Sequence, residues 1–173
     1  MSLRYLVEAV KSLPYRPEWT EPDSGDGYTR LSVPLEIDGV TEAGLTFDCG
    51  TYEYHPDEHV TLELSVLGKS GRRRIRLMRL DWRSLKGGHS NDRRRCSGPW
   101  SGRRVPETHL HSFDLNWIEA DQRMKKGKLP CAEPIPEPLQ SLAELIDFAG
   151  RCFRINNIDI VPPPNWVYDL FRS

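Results

Sequence analysis

Alternation of apolar and polar residues constrains this chain more than any other feature. In YTRLSVPLEIDG, starting at Tyr28, Leu31, Val33, Leu35 and Ile37 fall on one face of an extended backbone, and Arg30, Ser32, Pro34 and Glu36 on the other. A period of two suits a strand with one wet face. Three further runs, LTFDCGTYEY, VTLELSVLG and RRIRLMRLDW, follow across the polar turns DGVTEAG, HPDEH and KSGR. Strands joined by short turns predict an antiparallel meander. Pro34 has no amide to donate, which suggests an edge strand or a position whose amide faces away from the neighbour. A fifth strand is expected in ETHLHSFDLNW, Glu107 to Trp117.

Helical spacing occurs at both ends of the chain. Leu3, Leu6, Val7, Val10 and Leu13 recur on one face before Pro14 ends the pattern. In SLAELIDFAG, Ser141 and Glu144 form a capping box, Leu142, Leu145, Ile146 and Ala149 an apolar face, and Gly150 a stop. CAEPIPEP reads as an extended connector and INNIDIVPPP as a short strand or extended piece. NWVYDLF reads as a helical turn docking through Trp166, Leu170 and Phe171. The predicted class is therefore α+β: a mainly antiparallel sheet of about five strands with an N-terminal and a C-terminal helix packed against it. The expected organisation is one domain over residues 1–173, with a mobile basic loop at 83–106 that lacks apolar periodicity.

At 38% hydrophobic and 28% charged residues the chain is neither disordered nor lipid-embedded in character. No apolar run approaches the roughly 18 residues of a membrane span. The start, MSLRYLVEAVKSLP, reads as an amphipathic helix rather than a secretory signal, so a cytoplasmic protein is expected. The four cysteines form no CxxC pair. They read as reduced thiols, with Cys49 and Cys152 in the core.

Net charge is −1, yet its distribution is uneven: Lys69 to Arg104 carries +11 and the remainder −12. The basic segment supplies Arg72, Arg73, Arg74, Arg76, Arg93, Arg94, Arg95, Arg103 and Arg104, which can neutralise phosphates, and Trp100, which can stack on an exposed base. The expected function is non-enzymatic docking on nucleic acid (RNA or single strands) or on an acidic protein surface. The competing reading has the arginine stems cover apolar surface and their charges pair with acids elsewhere. By strand phase, Arg72, Arg74 and Arg76 share a face with Met78, Leu80 and Trp82, and Arg73 and Arg79 share the other with Ile75 and Leu77.

His109 and His111 stand two apart and share a face on a strand, in phase with Phe113, Leu115 and Trp117 at the margin of a core. Three uses are open to them. They can be structural; they can ligate a metal with His55, His59 or Asp81; or they can act as general base and acid in a small, toxin-like ribonuclease or phosphoesterase whose arginines hold phosphates. Spacing alone does not establish convergence, and the favoured reading calls for no metal and no cofactor. KGGHSN departs from a phosphate-binding loop, and no GxSxG, HExxH or GxGxxG stretch occurs. Cys49 has nothing beside it in sequence that marks an activated thiolate.

Overall fold

The computed structural model describes residues 2–68, 71 and 73–168. In chain order the elements are α1 (Leu3–Glu8), β1 (Tyr28–Ile37), β2 (Val40–Tyr52), β3 (Val60–Leu67), β4 (Arg74–Trp82), β5 (His89–Ser90), β6 (Arg104–Val105), β7 (His109–His111), α2 (Phe113–Asn116), β8 (Trp117–Ile118), β9 (Arg123–Met124), β10 (Glu133–Pro134) and α3 (Leu142–Phe153). The fold is α+β. Its sheet has six strands in the order β1-β2-β3-β4-β7-β10, with every pairing antiparallel. The sixth strand, β10, comes from the proline-rich connector. β1 lies at an edge, one of the two placements Pro34 allows, and the β1–β2 register shifts between Pro34 and Glu36.

One face of the sheet forms the core. Leu31, Val33, Leu62, Leu64, Leu80 and Trp82 are at most 1–2% exposed there, and Leu145, Phe148 and Phe153 of α3 join the same cluster. Burying each such side chain contributes about 2 kcal/mol. Ser141 caps α3 by accepting from the Glu144 amide, and the Glu144 carboxylate accepts from the Gln140 amide. The helix does not stop at Gly150. It continues to Phe153, and Arg154 closes it in the left-handed region at φ 57°. Gly150 serves packing instead, because a Cβ there would lie 2.6 Å from Ile158 Cγ2.

Other local expectations need correction. α1 ends at Glu8, and Lys11 pairs with Ile155 in an isolated bridge. The segment from Ile158 to Ile160 is a 3-10 turn, not a strand. Trp166 packs against the core and donates to Thr51 Oγ1 at 3.3 Å; Leu170 and Phe171 lie outside the described residues. The strand expected through Trp117 is three residues long, because Ser112 leads into the helical turn α2. Among the described residues, no helix is long and apolar enough to cross a membrane.

Candidate functional site

The opposite face of the sheet is polar. Register places Thr61 beside Asp81, Glu63 beside Arg79, Asp81 beside His109 and Arg79 beside His111. Alternation therefore groups Thr61, Glu63, Arg79, Asp81, His109 and His111 on this face, away from Leu62, Leu80 and Trp82. A register shift at Leu64/Ser65 leaves Leu77 unpaired, so Arg76, opposite Ser65, turns to the polar face with Arg79. The simple strand phase that joined Arg76 to Leu80 and Trp82 is overturned by this bulge.

The basic segment covers the polar face near its β7 end. The stretch expected to lack structure carries the β5–β6 ladder, in which His89 pairs with Val105. Gly88 permits the close approach, since a Cβ there would collide with the Val105 carbonyl. Two buried asparagines pin the neighbouring backbone. Asn91 donates to the Ala132 carbonyl at 2.7 Å and accepts from its amide at 2.8 Å; Asn116 does the same for Cys131, at 2.8 and 2.9 Å. Cys96 and Cys131 are joined in a disulfide, which corrects their reading as thiols. Cys49 is free and buried, and Cys152 is free and half-buried.

Three imidazoles converge under this cover. The rings of His109 and His111 are 5.0 Å apart, and His89 lies 4.7 Å from His111 and 5.8 Å from His109 between centroids. One ligand nitrogen from each ring lies within 4.8 Å of the other two. Asp81 completes the group, with Oδ2 at 3.3 Å from His109 Nε2 and 3.6 Å from His111 Nε2. Asp81, His109 and His111 are only 3–4% exposed, whereas His89 is half-buried and is the member of the group most open to solvent.

Burial alone would raise the Asp81 carboxyl pKa. The two imidazoles and the Arg79 guanidinium more than reverse this and hold it well below the ordinary carboxylate range. Burial pushes His111 below the usual histidine range, with Asp81 opposing. Sequence spacing had named the HxH pair and Asp81. It had also offered His55 and His59, which stand outside the cluster; His59 instead accepts the Leu85 amide at 3.1 Å. His89 was missed as a partner. The glycine pair before it, marking close backbone approach, was the available signal.

The arginines fall into two groups. Arg74, Arg76 and Arg79 pair with Asp48 (2.8 Å), Glu63 (2.6 Å) and Asp81 (2.7 Å). Arg73, Arg93, Arg94, Arg95, Arg103 and Arg104 are exposed and make no ion pair with any described residue. Asp92, the one acid in 83–106, accepts from the Arg94 amide instead. Arg72 lies outside the described residues. Trp100 is half-buried, and its carbonyl accepts from Asn91.

A groove of about 1290 Å³ runs between the adjoining ends of β3 and β4 and residues 122–129, lined by Arg73, Arg74, Arg76, Lys125, Lys126 and Lys128 among others. Arg95 reaches Gly127 in that lysine stretch, where a Cβ would stand 3.6 Å from its guanidinium. The groove and the arginine loop therefore meet. Comparison with protein-family models, curated proteins and solved structures finds no match to this chain.

Proposed function

We propose that this protein binds nucleic acid through the phosphate backbone, using Arg93, Arg94, Arg95, Arg103 and Arg104 of the 83–106 segment. The observation that carries the reading is that these five guanidiniums are exposed and unpaired among the described residues, in a chain with acids to spare. Neutralising phosphates releases counterions, the main source of sequence-independent affinity for nucleic acid. Lys126 and Lys128 extend the same positive surface toward the groove. The tether of the segment through Cys96, Asn91 and the β5–β6 ladder reduces the ordering entropy that binding must offset.

The test is fluorescence anisotropy with labelled single-stranded RNA, single-stranded DNA, duplex DNA and a poly-glutamate peptide. Binding to nucleic acid, lost when Arg93, Arg94 and Arg95 become alanine together, is the expected result. Preference for the acidic peptide, or affinity unchanged in the variant, contradicts the reading.

A second reading, cleavage of the bound phosphodiester, is favoured by one observation: His89 belongs to the arginine-bearing segment and is the accessible member of the histidine cluster. An imidazole in reach of a backbone held by arginines can transfer a proton to or from the reacting oxygen. Under this reading His89→Ala removes turnover of RNA while binding remains. No turnover at any pH or with any added metal contradicts it.

A further inference from the structure

We propose that His89, His109, His111 and Asp81 form a binding site for one divalent transition-metal ion of the zinc class. The hydrogen bonds of the three rings fix their free nitrogens. His109 Nδ1 lies 2.7 Å from the Pro106 carbonyl, His111 Nδ1 3.1 Å from the Cys131 carbonyl, and His89 Nε2 2.8 Å from the Pro130 carbonyl. A carbonyl can only accept, so in each case that ring nitrogen carries the proton. In the neutral form, the one that binds a metal, the lone pairs are then on Nε2 of His109, Nε2 of His111 and Nδ1 of His89. Histidine ligands of metals are oriented in this way, by a carbonyl or carboxylate on the ring nitrogen opposite the metal.

The carboxylate is equally one-sided. Thr61 Oγ1 at 2.9 Å, Arg79 Nε at 3.0 Å and Arg79 Nη2 at 2.7 Å all donate to Asp81 Oδ1. Oδ2 is buried with no hydrogen-bond donor from a described residue and faces the two Nε2 atoms at 3.3 and 3.6 Å. Acceptors crowded together in a buried space repel unless a cation sits among them. Zinc–ligand bonds of about 2.0 Å in a tetrahedron set ligand atoms about 3.3 Å apart, which these separations match. Nitrogen and carboxylate donors of this kind suit zinc, cobalt or nickel better than calcium or magnesium.

His89 is the outlying ligand. One of its nitrogens lies within 4.8 Å of one nitrogen on each of the other two rings, and it alone sits on the arginine segment. A shared metal ion would therefore tie β5 to β7. The proposal stands independently of nucleic-acid binding and requires no turnover.

The experiment is calorimetric titration of the chelator-treated, oxidised full chain with zinc chloride and with cobalt chloride, with cobalt ligand-field absorption as second readout. One equivalent is expected to bind, with the band intensity of a four-coordinate site. His89→Ala, at a half-buried position that leaves the core intact, should weaken binding at least about tenfold, and His109→Gln should do so as well. Lack of stoichiometric uptake by folded wild-type protein overturns the proposal, as does uptake unchanged in both variants. Imidazole nitrogen shifts provide a further check. Protons on Nε2 of both His109 and His111 at neutral pH, undisturbed by zinc, would mean that the cluster is held by protons, not a metal.

Discussion

Arg74, Arg76 and Arg79 stand on β4 opposite carboxylates of the same sheet face, while Arg93, Arg94, Arg95, Arg103 and Arg104 stand on a covering segment and make no ion pair with a described carboxylate. The two groups are adjacent in sequence and identical in chemistry. Strand register explains the difference: β4 faces β3 and, across it, β2, which bring Glu63 and Asp48 alongside, whereas the only acid of the loop is engaged by its own backbone. A run of positive charge in a sequence is thus not one feature. Part of it supports the sheet, and part is exposed without an ion-pair partner among the described residues.

The largest expected effect concerns what holds the second group in place. Replacing Cys96 and Cys131 together by serine frees a 35-residue span and should lower stability by about 4 kcal/mol, less where the reduced chain keeps structure, with the change in denaturation midpoint as readout. Arg79→Ala comes next. It leaves Asp81 buried without its guanidinium and should destabilise by about 3 kcal/mol, the low end for a broken buried pair because Arg79 is partly exposed. In contrast, changing Arg93, Arg94 and Arg95 to alanine should move stability by no more than about 0.5 kcal/mol, since exposed side chains without partners are removed. Equal destabilisation by the two arginine changes would erase the distinction.

A smaller effect comes from a cation of a third kind. Lys11 is buried, donates to the Val7 carbonyl at 3.0 Å, and is pushed down by burial to about 8. The unfolded chain therefore takes up a proton at higher pH than the folded one. By linkage, the Lys11 contribution to stability rises with pH between about 8 and the ordinary 10.5, and is level below that window, where the amine is charged in both states. Lys11→Met should remove that slope from a pH series of unfolding midpoints; an unchanged slope would assign it to other groups.

Much of the framework was legible because it rests on local patterns. The alternation of β1, the edge position of Pro34 and the Ser141 cap each depend on a few neighbouring residues. Misreadings arose where distant parts decide. Gly150 looked like a helix stop because its reason, Ile158, lies after the helix. The ETHLHSFDLNW stretch looked like one strand because alternation continues beyond His111, although Ser112 turns the chain into α2. The site was half legible: HxH and Asp81 were visible as candidates, but their convergence depends on the pairing of β4 with β7. His89 reaches them only through the β5–β6 ladder, the Cys96–Cys131 disulfide and the two asparagine clamps. Apart from the glycine pair before His89, none of those contacts has a local signature.

The central claim is that the loop arginines, not those of the strand, meet phosphate. The most direct measurement is the salt dependence of affinity for single-stranded RNA, compared between wild type, the Arg93/Arg94/Arg95 triple alanine variant and Arg74→Ala. Each lost phosphate contact reduces the slope of log K against log salt by about 0.7, so the triple variant should lose about 2 from its slope and bind about a hundredfold more weakly near 0.1 M salt. Arg74→Ala, whose charge is already engaged by Asp48, should leave the slope nearly unchanged. A triple variant with the wild-type slope, or a slope lost equally with Arg74→Ala, would contradict the account.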